Sequence, residues 1–222
     1  QDNWGPKAAI NMLYSPLSWN KLADPAKLLS QYFVDSYGSK AQAMAQAYFN
    51  LERAMANIFN LKRFFARGIK HFGFDKVAAH SHINYNDEPG KTAPSIDAML
   101  EYAKKSLETA ESLKGEKGSH RIKADIPWLK YACGTVKLYH ITMKALEKKH
   151  QGFLNSAKDL ILSTVPVIEE LKKLDLQICL PEKVRVNCAE ASGILDLIGV
   201  LAQEFDIELN HQHVNAFVQT SI

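Results

Sequence analysis

The sequence predicts an all-α protein, an antiparallel bundle of five to seven helices with a long loop over residues 72–94. Two observations carry that reading. Apolar residues recur at threes and fours through 26–37, 39–67, 95–113, 120–150 and 155–174, the spacing that gives a helix one buried face. Capping residues also stand where those segments begin and end, at Asp24-Pro25, Gly38 and Ser95. Strand-like runs are confined to the C-terminal end.

Residues 1–18 hold Trp4, Pro6 and an apolar run from Ala8 to Leu13, a short helix leading into an irregular segment at Ser15-Pro16. Asp24 then caps the first clear helix, and Pro25 occupies a first-turn position that needs no amide donor. Leu28, Leu29, Tyr32 and Phe33 form its buried stripe, and Gly38 can take the left-handed turn that ends it. Ser39 opens a longer helix reaching Arg67, with Met44, Tyr48, Leu51 and Met55 on one face. A turn this short forces the two helices to pack on each other. Ile58, Phe59, Leu61, Phe64 and Phe65 enrich the second half in aromatics, read as core or, alternatively, as a sugar-stacking platform.

Residues 72–94 contain two glycines and two prolines around a polar centre, and so read as loop. Loops of this length in compact domains often carry function. His80, His82, Asn84, Tyr85, Asp87 and Glu88 make it the first choice for a ligand-binding surface, unless the loop merely covers a helix end. Tyr85 would offer a ring face, and Asn84 and Asp87 would reach hydroxyl groups. Ser95 opens the cleanest helix, with Glu101 and Lys105 as an i, i+4 pair. Past a polar hinge at Gly115–Gly118, a helix runs from about His120 to His150, kinked or restarted at Pro127. Leu129, Ala132, Cys133, Val136, Tyr139 and Met143 line its inner side. A helix over 155–174 is expected to bend at Pro166. The runs around Pro181 and at 206–209 allow a small β element, so residues 175–222 read as a smaller extension packed on a 1–174 bundle in one compact unit.

Composition narrows the functional classes. At 222 residues the chain can bury one substantial core. Lys plus Arg number 27 against 24 acidic residues, a net +3 that is too weak a bias to argue for nucleic acid, and no nucleic-acid partner is expected. No run of about 18 apolar residues is present, so no membrane span is expected. The start at Gln1, without a basic–apolar–small leader, reads as a trimmed domain or mature chain. Cys133, Cys179 and Cys188 form no disulfide framework, although Cys179 and Cys188 flank a loop and could pair. Nucleotide-binding, serine-hydrolase and zinc-protease motifs are all missing, and no catalytic residue or cofactor is expected. The pairs His80/His82 and His211/His213 each place two imidazoles on one face of an extended segment. A third ligand would still be needed, and no metal is expected.

Trp19, Asn20, Asp24, Leu28, Leu29, Tyr37, Gly38, Met44, Tyr48, Leu51 and Glu52 form a pattern. It resembles the C-terminal helical domain of bacterial glycoside hydrolases, β-N-acetylhexosaminidase-like or α-glucuronidase-like, of the polysaccharide-utilisation type. The resemblance covers about half the chain. It is strongest from Trp19 to Arg53 and echoes through the Ser95–Leu113 helix into the helix at Arg121. It implies a non-catalytic accessory domain packed on a catalytic barrel, in a periplasmic or extracellular setting. The implied partners are the catalytic domain of the same parent protein or carbohydrate. Asp87-Glu88 resembles the acid pair of hexosaminidase-like enzymes, in which the Asp orients an acetamido group and the Glu protonates the leaving oxygen. Here the His-x-Gly-Gly lead and the preceding apolar strand are missing, so the pair reads as a solvated acidic loop. Two alternatives stay open: a helical module that binds a protein or forms a homodimer, and a stand-alone enzyme or metal protein using residues 80–88.

Overall fold

The computed structural model describes residues 22–65, 73–115, 119–178 and 189–207. Among them the protein is helical, with no strand. The helices are α1 (Pro25–Tyr37), α2 (Ala41–Phe65), α3 (Phe74–Ala78), α4 (Ile96–Leu113), α5 (His120–His150), α6 (Leu154–Leu162), α7 (Thr164–Ile178) and α8 (Ala189–Glu204). Six of these span 13 residues or more, while α3 and α6 are short. An all-α bundle is therefore what these residues build.

The expected starts are made by the expected side chains. Asp24 accepts from the amides of Ala26 and Lys27, and Ser95 accepts from that of Ala98. Gly38 has φ +56°, a region open to glycine, and leads through a 3₁₀ turn (Gly38–Lys40) into α2 at Ala41, two residues beyond the expected start at Ser39. Expectations for residues 1–21, 66–72, 179–188 and 208–222 lie outside the described residues. These include the N-terminal helix, the Gly68 stop, the Cys179–Cys188 pair and His211/His213.

α5 is the axis of the bundle. It packs against α2, α4, α6, α7 and α8, which is why its buried residues include Leu138, Ile141, Ala145 and Leu146 besides Leu129, Val136, Tyr139 and Met143 of the expected stripe. Ala132 and Cys133 of that stripe are half-buried. The helix continues through Pro127. Pro127 leaves the Lys123 carbonyl without its helical donor, but Lys123 is exposed, so water can serve that acceptor. α5 and α7 approach closely at Gly134, where an added Cβ would lie 2.7 Å from Leu171 Cδ2.

Three expectations are corrected. The 155–174 segment is broken at Ser163 rather than bent at Pro166. Pro166 has no amide to bond the Leu162 carbonyl, and the hydroxyls of Ser163 and Thr164 fold back onto Leu160 O and Ile161 O instead. The residues expected to form a strand just before Cys179 are the end of α7, which runs to Ile178. Asp206, expected to open another strand, ends α8 with φ +51°. Its amide bonds Gln203 O and that of Ile207 bonds Ala202 O, the paired closure that satisfies terminal helix carbonyls.

Two buried clusters hold the bundle together. The larger follows α5 from Tyr131 to Leu146 and gathers Ile58 and Leu61 of α2, Met99 of α4, Leu171 of α7 and Ile198 of α8. Ile194 through Ala202 thus share the core of the preceding helices. The smaller cluster seats the α1–α2 hairpin on the start of α5 through Phe33, Tyr37, Met44, Leu51, Ile122, Ile126 and Leu129. Leu29, Tyr32 and Tyr48 are only partly buried, at its margin.

Candidate functional site

The 72–94 segment is not one open loop, because α3 occupies Phe74–Ala78. Residues 79–94, after α3, are tied to the bundle by side chains whose polar atoms the backbone needs. Asn57, fully buried on α2, donates to Asn84 O at 2.7 Å and Pro94 O at 3.2 Å and accepts from the Asn84 amide at 3.3 Å. The Asn84 side chain donates to Ala93 O at 2.7 Å and accepts from the Glu88 amide at 2.9 Å. The Lys91 ammonium donates to the carbonyls of His80, Ser81 and Ile83 at 3.1, 2.7 and 3.1 Å. Asn60 of α2 holds His82 O at 2.6 Å.

The residues expected to form a ligand surface are placed differently from one another. Asn84 and Tyr85 are 2% and 1% exposed, so the side chains assigned to hydrogen bonding and stacking lie inside the protein. Tyr85 meets Phe74 edge-on at 4.9 Å, and the Lys144 ammonium sits 5.4 Å from its ring centroid. Its hydroxyl lies 3.1 Å from Met143 O and 3.0 Å from a Glu147 carboxylate oxygen. Burial, reinforced by the Glu147 charge, pushes the Tyr85 hydroxyl pKa up. His80 is half-buried, its ring against the edge of Phe64 and its Nδ1 accepting from the His82 amide at 3.3 Å. His82 and Asp87 are exposed, and half-buried Glu88 lies 3.6 Å from Lys91. The structure brings the six residues into one segment without converging them on a cleft. Among the described residues no three His, Cys, Asp or Glu side chains gather as a metal site would require.

Beside this segment, Asp97 in the first turn of α4 receives His140 Nε2 at 2.8 Å and Lys144 Nζ at 2.9 Å from α5. Partial burial works against the Asp97 anion, but the Lys144 and His140 contacts win and hold its pKa low. The pair on α4 itself is Glu101 with Lys104 at 2.7 Å, not the expected Glu101 with Lys105. Cys133 fills a core position and donates to Ala103 O at 3.0 Å, and burial pushes its thiol up to about 12.

Sequence reasoning missed the most unusual polar group. Asp125 is wholly buried in α5, where α1 and α2 meet it. Tyr37 donates to its Oδ2 at 2.5 Å, and the Tyr48 hydroxyl lies 3.3 Å from that of Tyr37. Arg121, one turn earlier, approaches through Nε alone, 3.3 Å from each carboxylate oxygen. Burial pushes the Asp125 carboxyl pKa up against the opposing pull of Tyr37 and Arg121. A signal was present: Asp125 takes the i+3 place in the apolar stripe Ile122, Ile126, Leu129, where an acid is out of pattern. Nothing local in the sequence announces its partner, 88 positions away.

No protein-family model, curated protein or solved structure matches the chain.

Proposed function

We propose that this chain is a non-catalytic helical accessory domain of a carbohydrate-active enzyme, packing on a catalytic barrel. The carbohydrate part rests on the resemblance carried by Trp19 through Glu52. The non-catalytic part is supported by one observation: the side chains best suited to meet a sugar, Asn84 and Tyr85, face inward and hold the domain's own fold. The acid pair beside them is unsuited to glycoside cleavage, which usually needs two carboxyl groups facing a substrate across a cleft. Asp87 is exposed, and Glu88 leans on Lys91. By the same resemblance the setting is periplasmic or extracellular.

The test is to assay the purified chain against aryl hexosaminides and aryl glucuronides and to read the parent gene upstream of Gln1. No turnover and an upstream barrel are expected. Turnover abolished by Glu88→Gln, or a parent gene without a barrel, overturns the reading. A second reading, a protein-binding or homodimerising helical module, draws on Phe49 and Phe59, 46% and 53% exposed on α2. A dimer in light scattering that Phe59→Ser dissociates would favour it.

A further inference from the structure

The joint between the α1–α2 hairpin and α5 is built around a carboxyl group that is poorly equipped to remain an anion. A carboxylate taken wholly out of water needs several donors, and an arginine serves it best through a two-bond fork. Among the described residues Asp125 receives a short bond from Tyr37 and a longer one from Arg121 Nε, at 3.3 Å, both on Oδ2. Among the same residues its Oδ1 makes no hydrogen bond, although Arg121 Nε stands 3.3 Å away. Arg121 offers no fork: its Nη2 is buried without a hydrogen-bond partner among the described residues, while the side chain as a whole keeps 27% exposure. The surrounding elements bring little compensating charge. α1 contributes Tyr32 and Tyr37, α2 contributes Tyr48, and α4 contributes the apolar Leu107, Ala110 and Leu113. Among the described residues Arg121 is the cation facing the carboxyl, and its side chain keeps 27% exposure to solvent.

We propose that Asp125 is a proton switch at this joint: a proton taken up at Oδ1 removes the charge that holds Arg121, and the guanidinium swings out to solvent while Tyr37 keeps its bond to Oδ2. The hairpin stays seated in both states, because Tyr37 donates to a carboxylate and to a carboxylic acid carbonyl alike. What changes is the surface, which gains a mobile cation beside Tyr32 in mild acid. This inference is independent of the accessory-domain reading.

A carboxyl whose proton affinity is raised by folding stabilises the native state fully below its unfolded pKa of about 3.9, and loses that contribution as pH rises through the higher native value. Urea midpoints of the wild-type chain and of Asp125→Asn, measured between about pH 4 and about pH 7, read this directly. The wild type is expected to gain on the variant as pH falls. A wild type that loses ground on acidification, or keeps a constant difference, overturns the proposal by showing an ion pair that holds the anion or a group that does not titrate. Should Asp125→Asn fail to fold, carbon-detected NMR of the wild type decides. The Asp125 carboxyl signal is expected to titrate above the ordinary value, with the Arg121 Nε–H signal moving at the same midpoint. A midpoint at or below the ordinary value, or an unmoved Arg121 signal, sinks it.

Discussion

The Tyr37 hydroxyl, on the last residue of α1, donates to the Asp125 carboxyl of α5 at 2.5 Å, joining residues 88 positions apart inside the protein. This contact ties the end of the first helix to the central one, at the only cluster where α1 has buried side chains among the described residues. Removing the hydroxyl strands a buried acceptor. Tyr37→Phe is expected to destabilise the chain by about 1–3 kcal/mol, the range for a buried polar group left without its partner. Urea melts at neutral pH measure this, and an unchanged midpoint would mean the bond is not formed in solution.

Leu51 is buried between the hairpin and the start of α5 in the same cluster as Phe33 and Ile126. Truncation to alanine should cost roughly 2–5 kcal/mol, as large core truncations do. A loss below about 0.5 kcal/mol in chemical denaturation would place Leu51 at the surface instead.

Tyr85 and His82 separate a structural loop from a binding loop. The Tyr85 ring is enclosed by Phe74 and Lys144 with its hydroxyl on α5, so Tyr85→Ala should lose about 3–5 kcal/mol. Exposed His82, three residues earlier, should change stability by less than about 0.5 kcal/mol on conversion to alanine. Thermal melts of the two variants make the comparison. Equal and small effects would show that the segment is not anchored as described.

At Gly134 the end of the Leu171 side chain stands where a Cβ would lie. Valine there must displace the buried Leu171 side chain and lose χ1 freedom in the helix, so Gly134→Val should destabilise by about 1–3 kcal/mol. Gly134→Val combined with Leu171→Ala should cost less than the sum of the two single effects, because the valine fills space the leucine vacates. A double variant whose loss equals that sum would show that the two sites do not share the contact.

The sequence by itself determined the helices and most of their limits, because those depend on neighbours in the chain. Asp24 and Ser95 cap helices through amides two or three residues ahead, and the stripes Met44–Leu51 and Met99–Ala103 repeat at helical spacing. The break at Ser163 was nearly legible too, since Pro166 removes the donor that Leu162 O needs. Only the tertiary structure decided which polar residues are inside. Asn84 and Tyr85 look like ligand contacts in a polar loop, yet Asn57 and Met143, distant in sequence, supply the partners that make their burial favourable. Asp125 likewise becomes the centre of a joint only once the fold brings Tyr37 and Tyr48 to it. A hydrogen bond made across the core leaves no periodicity in either segment, so its members read as surface residues until the helices are packed.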